Sequence, residues 1–205
     1  MKNYRNQMAA MLIGANRVGK STIQRKLIAD YMKANPNNAL IVFDPQRRFA
    51  DLNPTKSIMP HEDWLGYLEG VRDALVVLDD YRALHTSFRA DPRLNSLMIN
   101  RCAANVDYIF ACHNPQQVLN NLSFYLNRYY IMWTNTTEGQ FENKIPNYLI
   151  VQKASSMMNR YAQGFGSKTN YQKLYPNFPY IMIDFDNEKN VFVNFDRDKL
   201  KKIIK

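Results

Sequence analysis

The sequence contains few cysteines and histidines, which excludes several kinds of site. Of its 205 residues, two are cysteine and three are histidine. Cys102 and Cys112 form no CxxC pair and the histidines are scattered, so we expect no disulfide framework, thiol redox motif or zinc site. We expect both cysteines to be buried, reduced thiols, as in proteins of the cytosolic type.

Long apolar runs are also missing. No stretch approaches the roughly 20 residues that span a bilayer, and the apolar stretch near the start is too short for a cleaved secretory signal. We therefore expect a soluble protein. Hydrophobic residues make up 46% of the chain and charged residues 22%, as in globular proteins, and the length suits one large domain.

Positive charge exceeds negative charge. The chain has 27 lysines and arginines against 18 acidic residues, a formal net charge of +9. This excess favours a polyanionic partner, because basic side chains release counterions from a phosphate backbone. Composition alone leaves nucleic-acid binding open, since many basic proteins bind none.

Short apolar runs alternate with amphipathic stretches, which predicts an α/β domain with a parallel sheet. We expect an α/β core over residues 1–140 and a C-terminal appendage over 141–205, packed on the same domain. The predicted strands are 8–13, 40–43, 74–78, 108–112 and 129–133, and the predicted helices are 20–33, 92–105, 115–126 and 145–163. A loop is predicted at 164–179, a β-hairpin at 180–184 and 191–195, and a short helix or frayed end at 199–205.

A phosphate-binding motif follows the first predicted strand. Residues 14–22 match GxxxxGK[ST], in which glycines let the backbone wrap a phosphate chain as a nest of N–H groups. The next helix adds its positive N-terminal end. We expect Lys20 to reach the β- and γ-phosphates of ATP and Ser21 to bind Mg²⁺, with the Arg17 side chain either in solvent or in an extra phosphate contact. The predicted nucleotide-binding residues are Gly14, Ala15, Asn16, Arg17, Val18, Gly19, Lys20, Ser21 and Thr22.

Two carboxylates follow another buried strand. Residues 74–80 read ALVVLDD, which delivers Asp79 and Asp80 to the carboxyl end of a parallel strand, where ligands gather. We expect Asp79 to hold Mg²⁺ through water and Asp80 to act as the general base on the attacking water. Many ATPases carry glutamate at the position of Asp80, so Glu62 and Asp63 remain alternatives for the base.

His113 ends the strand predicted at 108–112. A polar group at the tip of a strand beside the phosphate loop can sense the γ-phosphate and orient water. A single histidine after a strand is also common as a cap or surface residue. We predict that this strand lies between the P-loop strand and the Asp79-Asp80 strand, which distinguishes such ATPases from simple kinases.

Taken together, the motifs resemble the FtsK–HerA superfamily of DNA-pumping ATPases, particularly its small viral genome-packaging branch. The resemblance spans roughly residues 8–135. It rests on the P-loop, on IVFDPQ at 41–46, on Asp79-Asp80, and on ACHNP at 111–115, which is similar to the family's Ala-Thr-Gln-Arg-Pro element. It implies a RecA-like core, ATP and Mg²⁺ as ligands, and a ring of five or six subunits that translocates DNA.

The resemblance also implies an arginine that completes the neighbouring subunit's site. Arg101 stands within about one residue of the family's position, and Arg89, Arg93 and Arg128 are alternatives. Capsid or vertex proteins are implied partners, in a virion or in host cytoplasm during assembly.

Other functions remain open. A Zot-like phage ATPase is the nearest rival, although such proteins usually add a transmembrane helix; a small nucleotide kinase and an ATP-gated assembly protein belong to other classes. Beyond about residue 140 the chain matches no known pattern. Its basic and aromatic residues there are expected to face either DNA or solvent: Lys153, Arg160, Lys168, Tyr171 and Lys173.

Overall fold

The computed structural model describes residues 7–59, 62–80, 91–118, 120–134, 148–187 and 190–195. Its strands are β1 (Ala9–Ile13), β2 (Ala39–Phe43), β3 (Lys56–Ile58), β4 (Ala74–Leu78), β5 (Val106–Cys112), β6 (Arg128–Ile131), β7 (Ile181–Asp184) and β8 (Asn190–Val193). Its α-helices are α1 (Lys20–Ala34), α2 (Trp64–Glu69), α3 (Pro92–Ala104), α4 (Asn120–Ser123), α5 (Tyr148–Gln163) and α6 (Lys168–Gln172).

The strands form one sheet in the order β3-β2-β4-β5-β1-β6-β7-β8. Strands β1 to β6 pair in parallel, whereas β7 pairs antiparallel with both of its neighbours, β6 and β8. The predicted α/β fold with a mainly parallel sheet is therefore confirmed. The predicted position of β5 between β1 and β4 is confirmed as well.

Continuous apolar strands explain why the sheet is covered on both faces. Every residue of β1, β4 and β5 is buried. Along β1, Ala9, Met11 and Ile13 belong to one hydrophobic cluster, and Ala10 and Leu12 belong to a second. Because successive side chains of a strand point to opposite faces, these clusters are the cores on the two sides of the sheet.

Local signals position α3 directly before β5. The Asp91 carboxylate accepts a hydrogen bond from the Arg93 N–H at 2.9 Å, and Pro92 occupies the first turn. Asn105 ends the helix in the left-handed region, at φ 53°. These are favoured residues for the two ends of a helix, so the prediction of a helix over 92–105 is confirmed to within one residue.

The prediction of a continuous helix over 115–126 is wrong. A 3₁₀ turn covers Pro115–Gln117, and the short helix α4 begins at Asn120. Val118 between them is extended, with φ −69° and ψ 123°, which interrupts the helical path. Sequence reasoning also missed β3 and α2, both too short for a clear periodic pattern.

The C-terminal segment extends the main sheet. The predicted hairpin is confirmed, and β7 pairs with β6 through Ile131 and Ile181 at one end and Arg128 and Asp184 at the other. The prediction of an unbroken loop over 164–179 is wrong, because the Ser167 side chain accepts from the Asn170 N–H and starts α6. The boundary at residue 140 stays a prediction.

Two further expectations can be compared with the structure. Cys112 is buried as expected, but Cys102 is exposed on α3, which corrects that expectation. Within the described ranges, no helix is both long and apolar enough to cross a bilayer.

Candidate functional site

The phosphate loop is fixed at its start by two neighbouring strands. The Gly14 N–H donates to the Cys112 carbonyl at 3.2 Å, and the Ala15 N–H donates to the Trp133 carbonyl at 2.8 Å. The first bond continues the pairing of β1 with β5, and the second ties the loop to the residues after β6. The loop is therefore held between the two strands that flank β1.

Both glycines of the motif are required by close contacts. A Cβ atom on Gly14 would lie 2.8 Å from Val18 Cγ2 and 2.9 Å from Met132 Cβ. Gly19 has φ +99°, and a Cβ there would lie 2.3 Å from the Phe178 ring. Gly19 thus combines a left-handed backbone with direct packing against an aromatic residue of the C-terminal segment.

The side chain of Lys20 folds back into the phosphate loop. Its Nζ donates to the carbonyls of Gly14 at 2.6 Å and Ala15 at 2.9 Å, and lies 3.1 Å from His113 Nδ1. The residue is only 7% exposed. Burial lowers the pKa of Lys20 from 10.5 to about 8, although the nearby carboxylates of Asp79 and Asp80 oppose the shift.

Arg48 brings a second positive charge to the site. Its Nη1 lies 3.6 Å from Asp79 Oδ2 and 3.3 Å from the Ser21 hydroxyl oxygen. Asp79 is buried, which raises the pKa of its carboxyl, while Arg48 and Lys20 oppose that rise. One guanidinium nitrogen thus contacts both residues predicted to serve Mg²⁺. Sequence reasoning missed Arg48, although it lies just beyond IVFDPQ.

A loop after β2 holds Arg48 in place. The Asp44 carboxylate accepts from the Phe49 N–H at 2.6 Å. Arg25 on α1 donates to both carboxylate oxygens of Asp51, at 2.7 and 2.8 Å, and to the Arg48 carbonyl. The loop is therefore tied to the helix that begins with Lys20.

His113 connects Asp80 with Lys20. Its Nε2 lies 3.2 Å from Asp80 Oδ2, and its Nδ1 faces Lys20. An ammonium group can only donate, so with Lys20 charged Nδ1 accepts and the ring proton sits on Nε2, where it donates to Asp80. The Gln117 side chain accepts from the His113 N–H at 2.7 Å and fixes the end of β5.

The oxygen atoms at this edge fit a magnesium ion. Ser21 and Asp79 supply a hydroxyl and a carboxylate, the ligand types that Mg²⁺ prefers. Asp44 Oδ1 is buried without a hydrogen-bond partner, and its charge adds to the raised pKa of Asp79. Among the residues that the structure describes, no group of three or more histidine, cysteine, aspartate or glutamate side chains is placed to hold a metal ion. An ion here would therefore complete its coordination with water and phosphate oxygens.

These groups line an open cleft of about 890 Å³. It is large enough for a small-molecule ligand of the size of a nucleotide. Arg17 borders the cleft with an exposed side chain and a positive φ of 63°. The residues lining the cleft are Asn16, Arg17, Gly19, Lys20, Ser21, Thr22, Pro45, Gln46, Arg48, Asp79, Asp80, His113, Gln172, Tyr175 and Phe178.

Glu62 and Asp63, the alternatives for the general base, do not line this cleft. Glu62 forms an ion pair with Lys56 at 2.7 Å. Asp63 caps α2 and pairs with Arg93 at 3.0 Å. Of the acidic residues that the structure describes, Asp79 and Asp80 are the two that line the cleft.

Arg93, Arg101 and Arg128, the candidate arginines that the structure describes, do not line the cleft. Arg101 donates to the Met98 carbonyl at 2.7 Å, within its own helix. Arg93 pairs with acidic neighbours, Arg128 pairs with Asp184 at 3.0 Å, and Arg89 lies outside the described residues. Because Arg101 precedes β5 and His113 follows it, the two residues lie near opposite ends of this strand.

The C-terminal segment contributes to the cleft in a way that the sequence did not indicate. Gln172, Tyr175 and Phe178 line it. Tyr171 is fully buried, and its hydroxyl donates to the Pro179 carbonyl at 3.3 Å. The expectation that Tyr171 faces DNA or solvent is therefore wrong, whereas Lys153, Arg160 and Lys173 are exposed.

Sequence comparisons give no assignment, since no protein-family profile and no curated protein matches the chain. Solved structures do match. The genome packaging NTPase B204 from Sulfolobus turreted icosahedral virus 2, in complex with ATP-gammaS, is 10% identical, with a TM-score of 0.59 over 94% of this chain and 98% of that chain. In complex with sulfate, B204 gives a TM-score of 0.62 at 9% identity, over 92% and 96% of the two chains.

Two other solved structures are similar. The DNA-packaging ATPase B204 from Sulfolobus turreted icosahedral virus is 11% identical, with a TM-score of 0.59 over 93% of this chain and 97% of that chain. EccC from Thermomonospora curvata (ATPases 2 and 3) is 16% identical, with a TM-score of 0.50 over 67% of this chain and 31% of that chain. The chain thus has the fold of a genome-packaging P-loop NTPase, which confirms the predicted resemblance at the level of the fold.

Proposed function

We propose that this chain is an ATP-hydrolysing DNA translocase that packages a viral genome. The observation that carries the proposal is the meeting of Lys20, Ser21, Asp79, Asp80 and His113 at one edge of the sheet. A likeness to B204 that extends over more than 90% of both chains supports the packaging assignment.

Each of these residues has a role in hydrolysis. The loop N–H groups and Lys20 bind the phosphates of ATP, and Lys20 exchanges its bonds to Gly14 and Ala15 for phosphate oxygens. Ser21 and Asp79 would hold Mg²⁺, Asp79 through water, and the ion would supply neutralisation of phosphate charge. Arg48 contacts both residues here, so it would have to move for the ion to bind.

Asp80 activates the attacking water. The water oxygen forms a bond to the γ-phosphorus, the bond from that phosphorus to the bridging oxygen breaks, ADP leaves, and the water proton passes to the Asp80 carboxylate. The His113 Nε2–H group donates a hydrogen bond to the Asp80 carboxylate and so orients it. It also contacts Lys20, through which it senses whether phosphate is bound.

DNA is the proposed polyanionic partner. The net charge of +9 supports contacts to the phosphate backbone. The described chain contains no recognisable base-reading module, so binding is expected to be largely independent of sequence. We further propose that the subunits form a ring in which Arg101 of one subunit acts on the nucleotide bound by its neighbour. Capsid proteins are the proposed docking partners, in a virion or in host cytoplasm during assembly.

ATP hydrolysis with and without DNA tests the proposal. We expect the purified chain to hydrolyse ATP, DNA to stimulate turnover, and the stimulation to fall steeply with added salt. Lys20→Ala removes the phosphate-binding cation and should abolish both basal and stimulated turnover. If Lys20→Ala hydrolyses ATP as fast as the wild type, the proposed site is wrong. Hydrolysis that no DNA stimulates at low salt would refute translocation and favour an assembly protein.

The same preparation separates the translocase from a nucleotide kinase. A kinase transfers the γ-phosphate to a nucleoside monophosphate, whereas the proposed enzyme transfers it to water. We therefore expect free phosphate to account for all consumed ATP when nucleoside monophosphates are present.

A further inference from the structure

The C-terminal segment 171–178 is anchored directly on the phosphate loop. Phe178 packs against Gly19, so closely that any side chain at Gly19 would collide with its ring. Tyr171 stacks on Phe178, with ring centroids 6.0 Å apart and an interplanar angle of 28°. Tyr171 also contacts the Trp133 ring at 5.2 Å. The segment is therefore fixed to the residues that hold the loop.

Tyr175 is the exposed member of this aromatic series. It contacts Phe178 edge to face, with ring centroids 6.1 Å apart. Tyr171 and Phe178 are buried, but Tyr175 is 70% exposed and lines the cleft. A positioned aromatic ring that is open to a ligand cleft offers a stacking surface, because exposed aromatic area gains free energy when it is covered.

The strand order places the C-terminal end of this segment on the side of β1 away from the strand that carries Asp79 and Asp80. Asp79 and Asp80 follow β4 and His113 follows β5, on one side of β1. The segment with Tyr175 leads into β7, on the other side. If the terminal phosphate faces Asp80, the other end of a bound nucleotide extends toward Tyr175.

Tyr175 also lies near α1, the helix that follows the phosphate loop. Its phenol lies within electrostatic range of Arg25, on the second turn of α1. Lys20 and Ser21, which face the phosphates, lie on the first turn. Gln172 also lines the cleft and offers an amide donor and an amide acceptor.

We propose that Tyr175 stacks on the adenine base of the bound nucleotide and that Gln172 hydrogen-bonds to the edge of that base. This inference rests on the proposed ATPase function and names the subsite that recognises the base. Glutamine suits adenine because its amide can accept from the N6 amino group and donate to a ring nitrogen. The wide face of a purine also covers more of the tyrosine ring than a pyrimidine does.

Binding of ATP and of inorganic tripolyphosphate, each with Mg²⁺, tests the proposal. Tripolyphosphate occupies the phosphate loop but carries no base. We expect Tyr175→Ala to weaken ATP binding about 5- to 150-fold, the range typical of base–aromatic stacking. The same variant should bind tripolyphosphate within about twofold of the wild type, and Tyr175→Phe should bind ATP normally.

Tyr67→Ala is the matched control. Tyr67 is 45% exposed on α2 and does not line the cleft, so its loss should change neither affinity. A second readout is the fluorescence of the Tyr175→Trp variant, which ATP should quench and tripolyphosphate should not.

Three results would overturn the inference. If Tyr175→Ala binds ATP as the wild type does, no stacking occurs. If it loses affinity for ATP and tripolyphosphate equally, Tyr175 supports the loop and does not recognise a base. If the wild type binds neither ligand, the proposed ATPase function fails together with this subsite. This result can be told from the other two because it is seen with the wild-type protein.

Discussion

Lys20 combines a positive charge with a buried position. Its pKa of about 8, against 10.5 for an unburied lysine, results first from burial. Between these two pH values the unfolded chain holds a proton that the folded chain has released. The contribution of Lys20 to the free energy of unfolding therefore rises with pH across this window. A bound triphosphate reverses the preference, because it favours the charged ammonium.

Nucleotide binding should consequently take up protons in mildly alkaline buffer. At pH 8.5 the free protein carries Lys20 largely neutral, and binding of ATP should restore its proton. Calorimetry in two buffers with different ionisation enthalpies measures the uptake. The Lys20→Arg variant keeps its charge at this pH and should bind without uptake. Equal proton uptake by the two proteins would contradict the assignment to Lys20.

Asp79 and Asp80 are adjacent in sequence but face different partners. Asp79 is 5% exposed and contacts Arg48, whereas Asp80 is half-exposed and contacts His113. Asp80 also has a positive φ of 53°, a conformation that aspartate tolerates better than most residues do. This turn of the backbone directs the two carboxylates to separate partners.

The two carboxylates should therefore respond differently to substitution. Asp80→Asn removes the base and should keep ATP binding while turnover falls at least about 100-fold. Asp79→Asn should also weaken the Mg²⁺-dependent part of binding. Titration with ATP in magnesium and in EDTA, together with turnover, separates the effects. Full turnover in Asp80→Asn would show that another group activates the water.

The segment around α6 stabilises the phosphate loop from outside the motif. Phe178 is 7% exposed and lies between Gly19 and Tyr171. Its packing makes the stability of the C-terminal segment depend on the conformation of the loop. The cleft is thus built from the phosphate loop and from the C-terminal segment around α6.

Phe178→Ala tests this packing. Removing a buried phenylalanine costs about 3–5 kcal/mol, which should lower Tm by roughly 6–20 °C in a chain of this size. Phe124→Ala is the control, because Phe124 is 74% exposed and its loss should change Tm by only about 1–2 °C. Thermal unfolding followed by circular dichroism measures both. Equal melting temperatures would show that Phe178 does not support the loop.

The position of Arg101 bears on assembly. It lies in the last turn of α3, and the seven residues of β5 separate it from His113. A strand of this length spans roughly 20 Å. Arg101 therefore cannot reach the cleft of its own chain through the sheet, and a catalytic role requires the cleft of another subunit. The alternative is that Arg101 has no catalytic role and only donates to the Met98 carbonyl within its own helix.

Mixed rings distinguish these two roles. Arg101→Ala should bind ATP normally and hydrolyse it slowly, since arginine fingers contribute about 10³–10⁵ in rate. Mixing Arg101→Ala with Asp80→Asn should restore part of the activity, because some interfaces then pair an intact Asp80 with an intact Arg101. Arg72→Ala is a matched control that should keep full activity, since Arg72 donates to the nearby carbonyls of Glu69 and Val71 and does not line the cleft.

Two outcomes would contradict action between subunits. The mixture would remain inactive although sedimentation shows that both variants assemble together, or the wild type would remain a monomer with ATP and DNA present. The first outcome removes Arg101 from catalysis, and the second removes the ring.

The sequence alone determined most strands of the sheet and one side of the site. Buried strands such as Ala74–Leu78 are continuous apolar runs, and the GxxxxGK[ST] spacing has a narrow structural meaning, so both were predictable. The polar residues Asp79, Asp80 and His113 directly follow such strands. Because parallel strands end at a common edge, their meeting with Lys20 could be inferred before the fold was known.

Only the tertiary structure decided the other side of the cleft. Arg48, Tyr175 and Phe178 carry no local signal, since a single arginine or aromatic residue in a polar stretch is compatible with many surroundings. Arg48 reaches the site because Arg25 and Asp44 tie down its loop. The two aromatic residues reach it because β7 joins β6, a pairing between strands about 50 residues apart. Long-range contacts of this kind depend on packing and leave no period in the sequence.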